Sequence, residues 1–287
     1  MTAEVAPSPP IVVRCQRDVV TVDGPDAVAY LQGQLSQDVA ALAVGAVAWS
    51  FILSPQGKVD GWGRVHRTAD ARFEIDVDPG AGAAWEARLR RFLLRTKAEL
   101  ALVEGIEATA VRGATVDGAL PLAAPWAVGG DLLTNLDEVE VLPDGVVGGT
   151  AADLEATRIR AGIPAWGTEI DVDTIPATLG QWAIDASVSF TKGCYTGQEL
   201  VARIDSRGGH VPRALVGLEI DGPAPASGAA VVVGGEDVAV VTSSARWGAG
   251  SVALAFLPRS VELPGPIAAS AGGADAIVRP LPLPGPR

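Results

Sequence analysis

The stretch SVSFTKGCYTGQELVAR, at residues 187–203, decides how the rest of the chain is interpreted. Apolar and polar residues alternate over residues 187–190, which predicts a short, half-buried strand. Thr196 and Glu199 have the spacing of a capping box, which predicts a helix beginning at Gly197. Gly193 lets the backbone turn or approach another group closely. The stretch is therefore interpreted as a strand, a tight loop and a helix.

The chemistry of this stretch centres on Cys194, one of two cysteines in the chain. Cys194 precedes the predicted helix N-terminus, and Lys192 stands two residues before it. A helix N-terminus and a nearby cation both favour a thiolate over a thiol. The alternative is that Cys194 is a small buried apolar residue in a turn. The second cysteine, Cys15, lies on a predicted strand and serves as an internal reference.

The run KGCYTGQE at residues 192–199, with Arg203 after it, resembles the signature of the folate-binding YgfZ family. That family is a branch of the aminomethyltransferase superfamily, which includes the T-protein of the glycine cleavage system. The resemblance implies an α+β fold in which intertwined ferredoxin-like folate-binding units are followed by a small C-terminal antiparallel β-barrel. It also implies tetrahydrofolate or a one-carbon derivative as the cofactor.

Length and composition limit the class of protein. A chain of 287 residues predicts two or three domains, and we place them at residues 1–105, 106–210 and 211–287. The net charge of −12 argues against a general nucleic-acid binder or a binder of anionic membranes. Two distant cysteines and two histidines predict no disulfide framework and no metal site, as expected in a reducing cytosol.

Local patterns predict most of the remaining elements. A hairpin is predicted at residues 46–53 and 58–67, because Pro55 and Gly57 suit the turn between them. Helices are predicted at residues 85–95 and 153–162, and a short one from Ser36 to Val39. Short apolar runs from residue 213 onward predict the barrel. The Pro-rich residues 279–287 are expected to form an extended tail.

Two further motifs match the T-protein pattern. Asp60 follows the predicted hairpin turn, where that pattern carries an acid facing the reactive part of tetrahydrofolate. Trp166 stands in place of an aromatic residue that can stack on a flat heterocycle. Arg160, however, replaces a glutamate that binds the pterin edge, so the pterin contact must differ or another acid such as Glu169 must serve. Core packing for Trp166 and a solvated hairpin position for Asp60 are the structural alternatives.

The ligand-binding set predicted from the resemblance therefore consists of Asp60, Trp166, Lys192, Tyr195, Gln198 and Arg203, with Cys194 as the chemical residue. Glu199 and Arg203 could equally form an i,i+4 pair on the helix surface. Arg88, Arg91 and Arg95 share one face of the predicted helix and could bind the glutamate tail of a folate, or form a solvated face. Arg207 matches a further Arg-Gly of the family.

Three functions remain open on the sequence. The first is a tetrahydrofolate-binding accessory protein for iron–sulfur cluster assembly or repair, with a downstream effect on tRNA-modifying iron–sulfur enzymes. The second is a true aminomethyltransferase, and the third is a non-catalytic folate-dependent scaffold. The expected partners are folate and iron–sulfur client or assembly proteins, without direct nucleic-acid or membrane binding. The protein is expected to be a cytoplasmic monomer, and whether it is an enzyme is left undecided.

Overall fold

The structure is a computed structural model that describes residues 6–139, 141–206 and 210–284. It contains fourteen strands and five α-helices within those ranges. The strands are β1 (Ile11–Asp23), β2 (Val47–Leu53), β3 (Val59–Ala69), β4 (Arg72–Val77), β5 (Glu99–Arg112), β6 (Leu120–Pro121), β7 (Gly129–Leu132), β8 (Val147–Gly148), β9 (Arg213–Ile220), β10 (Ala230–Val233), β11 (Glu236–Trp247), β12 (Gly250–Pro258), β13 (Ile267–Ala271) and β14 (Ala274–Arg279). The helices are α1 (Ala27–Gln34), α2 (Gly82–Arg90), α3 (Ala151–Ala161), α4 (Gln181–Ser187) and α5 (Gln198–Ser206).

The chain divides into two compact units. The signature unit comprises Gln16–Ala108 and Ala165–His210. The barrel unit comprises Met1–Cys15, Thr109–Pro164 and Val211–Arg287. Both are discontinuous in sequence, and β1 and β5 each contribute residues to both. The division at residues 105 and 210 stays a prediction.

The signature unit is a sheet with α1 and α2 on one face and α4 against the other. Its strands run in the order β2-β3-β4-β1-β5, and the β2–β3, β3–β4 and β4–β1 pairs are antiparallel. One face packs against α1 and α2 around a core of fully buried residues that includes Leu31, Ile75 and Trp85. The predicted hairpin at residues 46–67 is confirmed as β2 and β3.

The barrel unit contains the closed barrel that the sequence predicts. Its strands run β10-β11-β12-β9-β14-β13, and β10 pairs with β13 to close the ring. Valine and leucine side chains of these strands fill the interior. In the rest of the unit, β5, β7 and β6 are neighbours, and β8 pairs with β1. The α+β class with a C-terminal antiparallel barrel is thus confirmed.

Helix α3 shows how closely local sequence can fix an element. Thr150 and Asp153 form a reciprocal capping box at its start. Gly162 ends it with a φ of +73°, a conformation that glycine adopts without steric cost. The helix predicted at residues 153–162 is therefore confirmed.

Four local predictions were wrong. Residues 187–190 form no strand, because α4 continues to Ser187 and the one backbone bond from the described residues 188–190 to a neighbouring segment is Ser189 N–H to Ser36 O. Residues 36–39 form no helix, because the Ser36 hydroxyl bonds to Ser187 O and accepts from Phe51 N–H. The helix predicted to end at Arg95 ends at Arg90. The described part of the expected tail, residues 279–284, is packed: Leu283 is buried and its N–H bonds to Arg160 O.

Candidate functional site

The signature loop, residues 188–197, is attached to the C-terminal end of α1 through Lys192. The Lys192 ammonium donates to the carbonyl oxygens of Gln32 and Leu35 at 2.7 Å and of Gln37 at 2.9 Å. The last carbonyls of a helix lack intrahelical partners and carry partial negative charge, so a cation is stabilised there. All three N–H bonds of the ammonium are used, which makes Lys192 a clamp for the loop.

Burial sets the ionisation of two loop side chains. It lowers the pKa of Lys192 to about 8, although the nearby Asp38 carboxylate acts in the opposite direction. It raises the pKa of Tyr195 to about 12, so the phenol is neutral at physiological pH. The ammonium lies 5.1 Å from the centre of the Tyr195 ring, within cation–π range.

Glycines let the end of the loop sit against the hairpin turn at residues 54–57. Gly197 has a φ of +83°, and a Cβ there would lie 2.4 Å from Ser54 O and 2.7 Å from Leu53 Cβ. A Cβ on Gly57 would lie 2.5 Å from Leu200 Cβ. Only glycine fits at these two positions, which explains why the turn and the signature each contain one.

Helix α5 begins one residue later than predicted, and its start is organised differently. The Gln198 side chain accepts a hydrogen bond from Tyr195 N–H at 3.1 Å. Within the described part of the chain, Thr196 and Glu199 form no reciprocal capping box; Thr196 N–H instead donates to Gly33 O at 3.1 Å. Glu199 and Arg203 are both exposed and form no ion pair with each other. Arg207 lies outside the described residues.

Cys194 is exposed at the tip of this otherwise fixed loop. A Cβ added to the adjacent Gly193 would meet no atom within 4 Å. The structure therefore leaves space around the thiol. Cys15 is only half-exposed. The exposure that thiol chemistry at Cys194 requires is present.

Asp60 is linked to the same end of the unit by Arg88 of α2. The Arg88 guanidinium donates to Asp60 at 3.0 Å, to Gln34 Oε1 at 3.1 Å and to Leu53 O at 2.9 Å. Burial lowers the pKa of Arg88, and the Asp60 carboxylate partly offsets this effect. Gln34 ends α1 and Leu53 contacts Gly197, so Asp60 and the signature loop share supports on α1 and β2. The Asp60 side chain keeps 24% of its surface exposed.

The three arginines predicted on one helix face are separated. Arg88 is buried against Asp60. Arg91 caps the end of α2, and Arg95 lies beyond the helix with a φ of +63°. Arg91 and Arg95 are exposed, and neither forms an ion pair with any described acid. Only these two could meet an anionic ligand from solvent.

Trp166 is half-buried and packs its ring against the core of the signature unit. The backbone N–H of Trp166 donates to Asp78 Oδ2 at 3.1 Å. Asp78 in turn accepts from Arg17, which also binds the buried Asp76. Trp166 is thus held by both core packing and an ionic network. The Glu169 carboxylate accepts from Ala165 N–H and Thr168 Oγ1 in its own turn.

Arg160 lies in the barrel unit and is buried. Its guanidinium carbon is 4.3 Å from the centre of the Trp247 ring, and Nη2 donates to Pro284 O at 3.1 Å. Its Nε and Nη1 atoms have no hydrogen-bond partner among the described residues. Burial lowers the pKa of Arg160, against the effect of Glu219.

Sequence reasoning missed an aromatic cluster on the second face of the sheet. The Trp62 ring centre lies 4.4 Å from that of Trp49 and 6.1 Å from that of Trp182. In the β2–β3 register Trp49 lies opposite Arg64 and Phe51 lies opposite Trp62, which places these four residues on one face. Their i, i+2 spacing on each strand was the available signal. Residue spacing could not show that Trp182, from α4, joins them.

The described residues show neither a metal-binding cluster nor a membrane-spanning helix. Across the described ranges, no three His, Cys, Asp or Glu side chains are grouped so that they could hold a metal ion. None of the helices in those ranges has the length and apolar character needed to span a membrane.

Comparison with known proteins identifies the fold and then the family. The structure is similar to glycine cleavage system aminomethyltransferase T from Bartonella henselae, with a TM-score of 0.75 over 95% of this chain and 86% of that one, at 20% identity. The fold is therefore that of an aminomethyltransferase. No protein-family model matches the chain.

Sequence relatives narrow the assignment. The tRNA-modifying protein YgfZ of Yersinia enterocolitica is 30% identical over 237 residues, which cover 70% of this chain and 68% of that protein. The mitochondrial iron–sulfur cluster assembly factor IBA57 of Mus musculus is 29% identical over 283 residues, covering 88% of this chain and 78% of that protein. The chain belongs to the YgfZ family.

Proposed function

We propose that this chain is a tetrahydrofolate-binding accessory protein for assembly or repair of iron–sulfur proteins, and that it acts through Cys194. Its relatives are named as a tRNA-modifying protein and an iron–sulfur cluster assembly factor, which supports a role related to both. The effect on tRNA would then be indirect, through tRNA-modifying enzymes that contain such clusters. The net charge of −12 supports the absence of direct tRNA binding.

One observation carries the proposal. The signature loop is held to the rest of its unit by contacts at Lys192, Thr196, Gly197 and Gln198. The thiol of Cys194, in contrast, is exposed next to Gly193, where an added Cβ would meet no atom. A loop built only to shape a turn has no need of an exposed thiol at its tip. Preorganised support around one reactive group is what thiol chemistry requires.

The residues of the signature unit suit a folate. Asp60 offers a partly exposed carboxylate for the polar edge of a pterin, and Arg88 positions that carboxylate. Trp166, with Tyr195, Gln198 and Arg203, would complete the lining, while Lys192 would support the loop from behind. Bound tetrahydrofolate, or a one-carbon derivative, would supply a one-carbon unit or accept one.

An aminomethyltransferase is the second candidate, because the fold is similar to that of such an enzyme. Arg160 offers only donors where a glutamate would accept from the pterin, which argues against this candidate. Cys194, which the T-protein pattern lacks, argues against it as well. If neither reaction occurs, a non-catalytic folate-dependent scaffold remains.

The proposed partners are iron–sulfur client or assembly proteins, with no membrane partner, and the proposed form is a monomer. Within the described residues neither Cys15 nor Cys194 forms a disulfide, which is compatible with a reducing compartment, and we propose the cytosol.

Two measurements test the proposal. Calorimetry with tetrahydrofolate and with its 5-formyl and 5,10-methylene forms should detect binding by the wild-type protein. Cys194→Ser should keep folate affinity and thermal stability but fail to rescue a strain that lacks the protein, whereas Cys15→Ser should rescue. Full rescue by Cys194→Ser would leave the scaffold as the better description, and no binding of any folate form would remove the cofactor.

A further inference from the structure

Arg88 of α2 holds three separate segments of the signature unit together. Only 5% of its surface is exposed. Its Nε donates to Asp60 Oδ2 on β3, Nη1 donates to Gln34 Oε1 at the end of α1, and Nη2 donates to Leu53 O at the end of β2. The guanidinium carbon also lies 4.3 Å from the centre of the Phe92 ring. Because each nitrogen has a different acceptor, the plane of the guanidinium is fixed.

The end of α1 that binds Arg88 also binds the signature loop. Thr196 N–H donates at 3.1 Å to the carbonyl oxygen of Gly33, the residue before Gln34. The Lys192 ammonium donates at 2.7 Å to two further carbonyl oxygens of the same end. A displacement of this end of α1 would therefore displace the loop that carries the thiol.

The end of β2 that binds Arg88 lies against the loop as well. A Cβ on Gly197 would lie 2.7 Å from Leu53 Cβ and 2.4 Å from Ser54 O. Leu53 O is the acceptor of Arg88 Nη2. Arg88 thus bonds to two elements, α1 and β2, that each contact the loop directly.

Asp60, the third acceptor of Arg88, has an oxygen left for a ligand. Arg88 binds Oδ2, and no described residue forms a hydrogen bond with Oδ1. The side chain keeps 24% of its surface exposed. An ionised carboxylate only accepts hydrogen bonds, so Oδ1 can accept from an N–H of a ligand. The bond from Arg88 sets the direction of this carboxylate, because a charge-assisted hydrogen bond is strong and directional.

We infer that Arg88 is a positioning residue that fixes the Asp60 carboxylate relative to the signature loop, and that it acts on the ligand only through Asp60. This inference rests on the proposed folate function. A folate held at Asp60 and the thiol of Cys194 would then share one rigid support, and a reaction between two groups gains most when their relative position is fixed. Lysine would keep the charge but lacks the planar fork that meets these three acceptors.

A double-mutant cycle, measured by calorimetry of tetrahydrofolate binding, tests the inference. Arg88→Lys and Asp60→Asn should each weaken affinity about tenfold, as expected when hydrogen bonds to a charged group are lost. Adding Arg88→Lys to Asp60→Asn should cost less than about threefold more, because the two residues act as one unit. Arg90→Lys is the matched control, since Arg90 lies on the same helix, pairs with Glu86 and is exposed. This variant should bind as the wild type does.

Gln34→Leu keeps the test valid if thermal unfolding shows that Arg88→Lys does not fold. It removes one acceptor of Arg88 and leaves the pair with Asp60 intact. We expect affinity to fall about threefold, and to fall no further when Gln34→Leu is added to Asp60→Asn. Hydrogen exchange reports on the loop: Thr196 N–H should exchange faster in Gln34→Leu and Arg88→Lys than in Arg90→Lys.

Three results would overturn the inference and leave folate binding intact. The first is wild-type affinity in a folded Arg88→Lys variant. The second is full multiplication of the two losses in the double variant, because Arg88 would then act independently of Asp60. The third is unchanged exchange at Thr196 in the folded variants. If the wild-type protein binds no tetrahydrofolate, the proposed function itself is rejected, and the inference with it.

Discussion

Cys194 and Cys15 differ in the access that solvent has to them. Cys194 is exposed on the signature loop, whereas Cys15 is half-exposed on β1. We therefore expect iodoacetamide at pH 7 to label Cys194 well before Cys15, because alkylation needs an accessible thiolate. Peptide mapping after timed labelling measures both rates in one sample. Equal rates, or faster labelling of Cys15, would contradict the expected reactivity.

Gly193 and Gly197 form a matched pair within the same signature. Gly197→Ala places a methyl group 2.4 Å from Ser54 O at a positive φ, so we expect destabilisation of about 1–3 kcal/mol or more. Gly193→Ala meets no neighbouring atom and should change stability by about 0.5 kcal/mol or less. Urea unfolding of both variants measures the difference.

The Gly193→Ala variant also tests function, because it is expected to leave stability unchanged. If space beside Cys194 is needed for a substrate or partner, Gly193→Ala should impair rescue of a deletion strain although it remains as stable as the wild type. Normal rescue by Gly193→Ala would show that this glycine is not required for access.

At the scale of elements, Lys192 joins the signature loop to α1. Lys192→Met leaves three backbone carbonyls without their shared donor, and we expect a loss of about 1–3 kcal/mol in the free energy of unfolding. The loop should also become more accessible to protease. An unchanged denaturation midpoint would show that water replaces the ammonium without cost.

The pKa of Lys192 predicts how this loss changes with pH. The pKa of Lys192 is about 8 in the folded chain, against its ordinary value of 10.5, so between these pH values the unfolded chain holds a proton that the folded chain has lost. Stability contributed by Lys192 therefore rises with pH through that window. Lys192→Met should accordingly fall further below the wild type at pH 9.5 than at pH 7. Urea midpoints at both values measure the difference, and a constant gap would contradict the lowered pKa.

Because α2 ends at Arg90, the three arginines Arg88, Arg91 and Arg95 do not form the single basic face that was expected to bind the glutamate tail of a folate. Arg88 is committed to Asp60, so any attraction of polyglutamate must come from Arg91 and Arg95, both exposed. We expect Arg91→Gln/Arg95→Gln to remove the preference for polyglutamylated over monoglutamylated tetrahydrofolate. The preference of the wild type should also weaken at high salt, because exposed charges are screened over about 8–10 Å near physiological salt. Titration of both ligand forms at two salt concentrations measures this. Equal affinity of the wild type for both forms at low salt would make the arginines solvated surface residues.

At the scale of the whole molecule, the fold is similar to that of an aminomethyltransferase, but the fold alone does not determine whether the reaction occurs. The aminomethyltransferase fold extends over nearly the whole chain, yet Arg160 stands where the T-protein pattern that this sequence resembles has a glutamate. We expect turnover of aminomethyl-loaded carrier protein with tetrahydrofolate to stay below about 1 s⁻¹, the lower end of ordinary enzyme rates. A coupled assay for methylenetetrahydrofolate measures it, and a faster rate would favour the transferase.

The sequence alone determined the elements whose signals are local. The turn at residues 54–57, the helix α3 with its terminal glycine, and the short strands of the barrel were all predicted correctly because their causes lie within a few residues of chain. The signature itself pointed to the family, and Asp60, Trp166 and Cys194 were selected as candidates from such short patterns.

Only the tertiary structure decided what those side chains contact. Lys192 meets Gln32, 160 positions earlier, and Trp62 meets Ser187, 125 positions later. Contacts between residues so far apart leave no trace in local periodicity, because the chain between them can fold in many ways. For this reason the predicted strand at residues 187–190 was wrong: the polar Ser187 is buried by hydrogen bonds to Ser36 and Trp62, whereas the apolar Phe190 is exposed. The aromatic cluster escaped prediction for the same reason, because β2, β3 and α4 bring its rings together only in the folded chain.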